Sequence, residues 1–521
     1  MKSLFPQKYH TYIYYFALTI LAIGLPVSKF LMSISQLILL GNWLLEGNLR
    51  NKIIDFWKNK PALVVSSILV LHFIGLLYTS NYADAFLDIR VKLPLFILPL
   101  IISTSDSLPE KLFNGILKLF VASVIFGTIV STLILFGFIH RPIVDIRGIS
   151  IFISHIRFAL LICVGVFISS YFAWLAKKKW SKLVWLLIIC WFVTSLVLME
   201  SLTGIVILCI TVFILLCYRI LKIEKRIIKI AILTFIIGLF ISSYIYTAGI
   251  IQQRNENVDR IDFDKVDRFT SKGNPYTFFP ESKLIENGHL IWIYFCDKEL
   301  KEEWDKRSTI KFEEKDKKGN SLRFTLIRFL ASKGLRKDGD AVAALTNEEI
   351  VAIERGVPNV NYQSFSSFKK RLYETLWEIE LYKNTGDANG HSLTQRFEYW
   401  KVALNIINEN LLLGVGTGDV QKSFDEAYVN MNSKLAMEWR LHSHNQFLSI
   451  TVAFGLFGLL WFLLTLIYPM FKLNMTFDYL FITFFIVSTI SFFTEDTLET
   501  QAGVSFYVFF NSLFLFSRRN S

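Results

Sequence analysis

The chain has 521 residues, of which 53% are hydrophobic and 15% aromatic, and its formal net charge is +12. A soluble fold of this length needs a more polar surface, so the composition excludes an ordinary soluble protein and indicates lipid as the main solvent. Such a positive charge would suggest nucleic-acid binding in a soluble protein, but here most of the basic residues outside one large polar segment lie in loops between apolar runs, where they act as membrane anchors.

Hydropathy along the chain predicts about twelve membrane-spanning helices. The uncharged runs 183–198, 205–216 and 447–466 should be helical, because lipid offers no water to satisfy backbone groups. About nine spans precede residue 252 and about three follow the polar segment, in the chain order 12–25, 30–45, 62–78, 93–102, 112–138, 156–175, 183–199, 204–218, 230–250, 447–468, 477–493 and 503–516. The predicted fold class is an all-α polytopic membrane protein.

Alternate loops differ in their content of lysine and arginine. The positive-inside rule places the basic loops, and with them both termini, in the cytoplasm. The basic residues concerned are Arg50, Lys52, Lys58 and Lys60, then Lys177, Lys178, Lys179 and Lys182, then Arg219, Lys222, Lys225, Arg226 and Lys229, then Lys472, and finally Arg518 and Arg519.

The long polar segment 252–443 is then external. A helical patch at 365–382, with turn signals such as Asn389-Gly390, predicts one large, mostly helical domain between spans nine and ten. The predicted organisation is an N-terminal transmembrane bundle at 1–251, this external domain at 252–443 and a C-terminal transmembrane segment at 444–521.

A polar cluster opens directly into the span that begins at Phe447, and its position makes it interfacial. A histidine at a membrane boundary is commonly a hydrogen-bonded interfacial residue, although its ordinary pKa of about 6.5 also suits it to accept a proton. From the residues alone both interpretations of His444 stay open, with the interfacial one favoured. The cluster comprises Arg440, His442, Ser443, His444, Asn445 and Gln446.

Residues 394–409, which include Arg396, predict an interfacial helix, because apolar side chains recur there at helical spacing. The following Gly414-Val415-Gly416-Thr417-Gly418-Asp419 resembles a phosphate-binding loop, but no Lys-Ser or Lys-Thr follows it and no parallel sheet is expected around it. The favoured interpretation is a turn whose glycines let the backbone approach something closely.

Two outer loops carry charge of opposite sign. The loop before the sixth span contains Arg147 and Arg157, and Arg157 stands at the lipid boundary, where an unpaired arginine costs up to roughly 2.5 to 3.5 kcal/mol. Either an anionic group compensates this charge or the side chain reaches the lipid headgroups. The turn between the last two spans is acidic, and it either orients basic residues in a site or marks an external loop. Its acidic residues are Glu495, Asp496 and Glu499.

These motifs resemble the O-antigen ligase and polymerase superfamily of bacterial membrane glycosyltransferases, in particular its O-antigen ligase-like members. The family's motif is a histidine followed by Asn, Ser or Gln, nine residues, a glycine, two residues and a small residue. Here His444-Asn445 is followed by nine residues and then Gly455-Leu456-Phe457-Gly458. The segments 154–157, 395–400, 413–418 and 495–503 also resemble the family, and the enlarged segment 252–390 resembles the version in Bacteroidetes-type members.

The resemblance implies transfer of a glycan from undecaprenyl pyrophosphate to an acceptor hydroxyl, such as one on lipid A-core, at the periplasmic face of the inner membrane. The implied reaction is inverting and needs neither a metal nor a cofactor. His444 would be the catalytic base, and Arg157 and Arg396 would bind the pyrophosphate, for which the bidentate arginine side chain is well suited. Possible supporting residues are Arg147, Asn445, Gly416, Gly418 and Glu495.

Alternatives within the superfamily differ only in the acceptor: an O-antigen polymerase extends a glycan, and a protein O-oligosaccharyltransferase modifies protein hydroxyls. The His-Asn spacing favours ligase-like members. An alternative of another class is a lipid or polysaccharide transporter, which would usually place ionisable residues at mid-membrane. The predicted spans are almost free of charge and the polar chemistry gathers at the outer rim, so an interfacial enzyme that binds membrane lipid, and not nucleic acid, is favoured.

Overall fold

The computed structural model describes residues 6–142, 146–255, 262 and 264–518. Arg519, a predicted cytoplasmic anchor, lies outside these residues, as do residues 256–261 and 263 of the predicted external domain. Helices make up almost all of the regular structure in the described ranges, which confirms the predicted mostly helical class.

The chain up to residue 221 is a succession of helices. In chain order they are α1 (Gln7–Val27), α2 (Lys29–Leu45), α3 (Leu49–Lys58), α4 (Lys60–Gly75), α5 (Tyr82–Lys92), α6 (Pro94–Thr104), α7 (Glu110–Leu135), α8 (His155–Leu175), α9 (Lys179–Leu198) and α10 (Leu202–Leu221). The middle of the chain holds α11 (Arg226–Asn255), a short hairpin of β1 (Ile285–Glu286) and β2 (His289–Leu290), α12 (Asp297–Arg307), α13 (Leu322–Ser332), α14 (Gly339–Ala343), α15 (Asn347–Glu354) and α16 (Ser367–Thr385).

The last part of the chain is again helical. It comprises α17 (Ser392–Glu409), α18 (Val420–Asn430), α19 (Gln446–Lys472), α20 (Tyr479–Thr494) and α21 (Gln501–Phe516). Short 3-10 turns lie at Ile146–Ile149, Val360–Gln363, Met437–Trp439, Met475–Phe477 and Thr497–Glu499. The predicted interfacial helix at 394–409 falls within α17, and the helical patch predicted at 365–382 falls largely within α16.

These elements form two compact units, a larger one of residues 1–216 and 396–521 and a smaller one of residues 217–395. In the larger unit, α21 is buried along almost its whole length and packs against α6 and α20. Phe510 of α21 meets Phe120 of α7 edge to face, with ring centroids 4.9 Å apart. Leu187 of α9, by contrast, is 60% exposed, as expected of a side chain that faces lipid.

The smaller unit has a core of its own, in which Trp304, Phe312 and Leu326 are fully buried. In its hairpin Ile285 pairs with Leu290. Arg328 is buried beside this core and donates from Nε to Oε1 of Glu286 at 2.7 Å, so the charge is paired rather than isolated.

Six helices in the described ranges are long and apolar enough to cross a membrane, namely α1, α7, α8, α9, α10 and α19. Helices α2 and α3 pass the same test as a pair bent by 112°, which gives up to seven. Helices α4, α20 and α21 are apolar but have 16 residues each, so each rises about 24 Å against a hydrocarbon core of about 30 Å. The chain is a multi-pass membrane protein; the twelve spans, the orientation and the predicted domain boundaries stay predictions.

Candidate active site

Three of the predicted site residues come together in the larger unit. Arg396 of α17 donates from Nη2 to Oε1 of Glu495 at 3.1 Å, and Nδ1 of His444 lies 3.5 Å from Oε2 of the same carboxylate. Asp496 adds a second carboxylate, with Oδ1 at 3.7 Å from Nδ1 of His444. Glu495 therefore lies between the arginine and the histidine, which arrive from separate parts of the chain.

The backbone around His444 holds the ring in this place. His444 has a φ of 45°, a left-handed conformation that L-residues adopt rarely outside sites that impose it. Directly after it, Asn445 caps α19 by accepting from the backbone N–H groups of Phe447 at 3.0 Å and Leu448 at 3.2 Å. The cap fixes where α19 begins, and the positive φ turns the histidine ring toward the acidic turn.

The acidic turn is tied to the same helix. The side chain of Gln446 is fully buried; it donates to Oε1 of Glu499 at 3.0 Å and accepts from the backbone N–H of Leu498 at 2.6 Å. These bonds hold the segment after Glu495 against the first turn of α19. The mutual position of His444 and the two carboxylates is thus restrained by buried hydrogen bonds of the Gln446 side chain.

The charges around His444 favour its protonated form. Burial lowers the pKa of His444, but the carboxylates of Glu495 and Asp496 more than offset this effect, so the pKa lies above its ordinary value. The Nδ1 atom is buried and faces the carboxylates, whereas Nε2 makes no hydrogen bond to any described residue. This leaves Nε2 for a substrate hydroxyl, in the way that a carboxylate orients the base of a catalytic triad.

Helix α17 packs against the ring of His444. The ring of Tyr399, which is 2% exposed, lies with its centroid 5.5 Å from that of His444. Burial raises the pKa of Tyr399 to about 12, so its hydroxyl stays neutral. Trp400 donates from Nε1 to the carbonyl oxygen of Ser443 at 3.0 Å. Tyr399 was not predicted from the sequence as a site residue, although its spacing of three residues from Arg396 places the two on one face of α17.

Arg157 is not part of this contact group. It lies in the first turn of α8 and donates from Nη1 to Oγ of Ser154 at 3.0 Å, and no ion pair in the described ranges joins it to Glu495. Its Nε atom is buried without a hydrogen-bond partner, which calls for a ligand or water that accepts from it. Arg147 is exposed in the turn Ile146–Ile149, which packs against α7 and α8.

The glycine-rich turn approaches protein backbone. The N–H groups of Val415 and Gly416 each donate at 2.9 Å to α19, to the carbonyl oxygens of Val452 and Ala453. At Gly418 the chain passes so close to the carbonyl of Asn81 that a Cβ atom would overlap it. The structure thus places Gly416 and Gly418 at a packed junction within the larger unit.

The same junction explains the nine-residue spacing. Helix α19 is interrupted at Gly455, which has φ of 63° and ψ of −163°, and a Cβ atom there would overlap the backbone of Leu412. The freed N–H of Leu456 donates to the carbonyl oxygen of Leu411 at 2.9 Å. The nine residues between Asn445 and Gly455 are therefore the helical segment between the histidine turn and the break.

A buried ionic network that the sequence analysis missed supports the acidic turn. Lys92 of α5 is 1% exposed; its Nζ donates to Oε2 of Glu499 at 2.7 Å and also to Asp88. Asp88 in turn lies 2.8 Å from Nδ1 of His72. Lys92 stands in a polar stretch between apolar runs and could pass for an ordinary anchor, so local sequence carries no signal of this role.

His444, Glu495 and Asp496 also have the residue types of a metal site, because one ligand atom from each lies within 4.8 Å of the others. Arg396 already brings a positive charge to Glu495, so a cation there would share the carboxylate with a guanidinium.

The site and the helices around it define a class: a multi-pass membrane protein with a half-buried histidine beside two carboxylates, at the start of an apolar helix. Residues 345–463 match the model of the family described as O-Antigen ligase, which confirms the resemblance seen in the sequence. The matched range contains Arg396, His444 and Gly455 and stops before Glu495. No curated protein sequence matches the chain.

Proposed function

We propose that the protein is a membrane glycosyltransferase of the O-antigen ligase type, which transfers a glycan from undecaprenyl pyrophosphate to a hydroxyl of lipid A-core at the periplasmic face of the inner membrane. The observation that carries the proposal is the arrangement of His444, with Nδ1 at 3.5 Å from Glu495 and Nε2 left for substrate, beside Arg396. This arrangement supports the proposal because an imidazole and a guanidinium share one carboxylate at the start of an apolar helix.

In the proposed reaction the acceptor oxygen attacks the anomeric carbon, and the bond from that carbon to the pyrophosphate oxygen breaks with inversion. The hydroxyl proton passes to Nε2 of His444, and the electron pair leaves with undecaprenyl pyrophosphate. Glu495 and Asp496 stabilise the imidazolium that forms, and Asn445 holds the turn that carries it.

The leaving group needs positive charge rather than a proton, because a pyrophosphate is already a competent leaving group. Arg157 offers an unpartnered Nε, and Arg396 uses Nη2 for Glu495 and keeps its other donors. These two arginines are the proposed pyrophosphate ligands, with Arg147 as a further cationic group in the same outer loop. The proposal involves no metal, so incubation with EDTA should leave transfer unchanged; loss of transfer that added Mg²⁺ restores would contradict this part.

The central test replaces His444, Arg157 and Arg396 by alanine, one at a time, in protein reconstituted in lipid. We expect transfer to fall by about 100-fold or more in each variant, the usual effect of removing a general base or a transition-state charge partner, with membrane insertion unchanged. His140→Ala and Arg141→Ala, which alter exposed residues of the same outer loop, should keep full activity. Activity that survives in His444→Ala would remove the general-base role.

The acceptor is tested by deleting the gene and examining surface glycans. Lost polymer on a complete lipid A-core supports ligation. Single capped repeats would indicate the polymerase alternative, and intact lipopolysaccharide with unglycosylated envelope proteins would indicate the protein transferase alternative. Glycans unchanged in all three respects would contradict the proposed function altogether.

A further inference from the structure

A polar cavity of about 340 Å³ lies in the larger unit, along the same helix α17 that carries Arg396. Its walls are the second half of α17, the chain from Gly414 to Asp419 and one face of α18. This volume falls within the range of roughly 300 to 1,000 Å³ found for small-molecule sites. The side chains that argue for a ligand are Asn405, Glu409, Lys422, Ser423, Glu426 and Asn430.

The chemistry of the lining selects the kind of ligand. Amides, hydroxyls and charged groups predominate, and a hydrocarbon chain that covered the exposed ones would remove their water at a cost of roughly 1 to 3 kcal/mol for each group left without a partner. The carboxylates of Glu409, Asp419 and Glu426 outnumber the single ammonium of Lys422, so a phosphate would meet net repulsion. A ligand dense in uncharged hydroxyls, which both donate and accept, fits this lining.

Hydrogen bonds restrain the part of the cavity wall that connects α17 to α18. Asp419 accepts from the hydroxyl of Thr79 at 3.1 Å and from that of Ser80 at 2.6 Å, and Tyr78 donates to the carbonyl oxygen of Leu413 at 2.7 Å. These bonds hold the connection between α17 and α18 against the turn after α4. A polar cavity that is formed in advance of binding loses little conformational entropy when a ligand enters.

One of the walls of the cavity, α17, also carries Arg396 and Tyr399 of the candidate active site. Ile406 in the cavity follows Tyr399, which contacts His444, by seven residues, so both lie on one face of α17 with roughly 10 Å of helix rise between them. On α18, Oε1 of Gln421 accepts from Nε2 of His442 at 2.7 Å, and the ring of Phe424 stacks on the ring of His442. The neighbouring Lys422 and Ser423 face the cavity.

We propose that this cavity binds a saccharide unit of one of the two substrates and so positions it for reaction at His444. This inference rests on the proposed function and adds a place for the glycan that is separate from the pyrophosphate and from the lipid chain. The unit belongs either to the acceptor or to the donor glycan, and the kinetics of cavity variants distinguish the two.

The kinetic test compares two cavity variants with matched controls outside it. Asn405→Ala pairs with Asn408→Ala on the same helix, and Lys422→Ala pairs with Lys401→Ala, which alters an exposed lysine of α17. Loss of one or two sugar hydrogen bonds should raise KM by about 3- to 10-fold with kcat within about twofold. A rise in KM for the acceptor assigns the cavity to the acceptor glycan, and a rise for the donor assigns it to the donor glycan. Unchanged KM values for both substrates, or equal changes in the controls, would overturn the proposal.

A binding experiment separates this proposal from the reaction itself. The His444→Ala protein in lipid nanodiscs is mixed with lipid-free oligosaccharide released from the host's envelope glycolipids, and saturation-transfer NMR reports contact without turnover. We expect transfer signals that Lys422→Ala removes and Lys401→Ala retains, even if the wild-type protein were found to lack glycan transfer. Signals that are absent, or equal in the two variants, would contradict a saccharide site in the cavity.

Discussion

Glu495 shares one carboxylate between Arg396 and His444, at 3.1 Å and 3.5 Å. A single side chain therefore orients the proposed base and restrains one of the proposed pyrophosphate ligands. Since the carboxylates raise the pKa of His444 despite its burial, the histidine is protonated over a wider range of pH than a free imidazole. A base must be neutral to act, so this environment has a direct kinetic consequence.

We expect transfer activity to fall as the pH drops through the raised pKa of His444, with the midpoint of the acid limb above about 6.5. The Glu495→Gln change removes one of the charges that raise this pKa, so the midpoint should move to lower pH while the maximal rate also falls. The measurement is kcat/KM from about pH 5 to about pH 9. Glu438→Gln, a change at an exposed turn, serves as control and should leave the midpoint in place. A midpoint that stays fixed or rises in Glu495→Gln would contradict the assigned electrostatics.

At the scale of elements, α19 brings the site together. Its cap at Asn445 and its break at Gly455 are separated by the nine residues of the family motif, and the glycine-rich turn packs into the break. The acidic turn before α21 is then attached through Gln446 and Glu499, and Lys92 of α5 neutralises Glu499 from the other side. The candidate site thus depends on a buried ion pair that no catalytic step uses.

Breaking that pair should destabilise the protein. In Lys92→Met the carboxylate of Glu499 keeps its charge without its ammonium partner, and loss of one member of a buried pair costs about 3 to 5 kcal/mol. We expect a lower unfolding temperature in detergent, measured by scanning fluorimetry. The double variant with Glu499→Gln should recover most of the loss, because an amide needs no counter-charge and still bonds Gln446.

Lys111→Met, at an exposed lysine of α7, is the matched control and should unfold like the wild type. An unfolding temperature in Lys92→Met equal to that of the control would show that the buried pair contributes nothing to stability. If the double variant does not regain its unfolding temperature, Lys92 stabilises the protein through its ion pair with Asp88 and not through the one with Glu499.

At the scale of the whole molecule, the chain combines long apolar helices with a smaller unit that has its own hydrophobic core around Trp304. The basic loops predict that residues 177–182 face the cytoplasm and that the segment 252–443 faces outward. This orientation would put the proposed site on the side where a lipid-linked glycan is presented.

Cysteine labelling tests the orientation. In a background without the native cysteines, Glu302→Cys on α12 should react with a membrane-impermeant maleimide in intact spheroplasts, and Lys178→Cys before α9 should react only after permeabilisation. The cysteine-free parent is the control for background labelling. Labelling of Lys178→Cys in intact spheroplasts would show that this loop faces outward and would contradict the predicted topology.

Much of this could be predicted from sequence because membrane helices are local features. The runs at 112–138, 156–175 and 447–468 correspond to α7, α8 and α19, since an apolar run in lipid must bond its own backbone. Prediction was weaker where helices are short or bent, as at α6 with 11 residues or at the bend between α2 and α3. There, hydropathy identifies an apolar segment, but its path depends on what packs around it.

For the site, the sequence by itself determined the candidate residues: a histidine just before an apolar helix, arginines in predicted outer segments, an acidic turn and a motif with nine intervening residues. Only the tertiary structure decided their partners. It joined Glu495 to both Arg396 and His444, left Arg157 outside that contact, and fixed the acidic turn through the buried Lys92. The physical reason is that the amino-acid type alone sets the charge of a side chain. The energy of an ion pair depends on the distance between its two groups and on their burial, and both are defined only once the helices have packed.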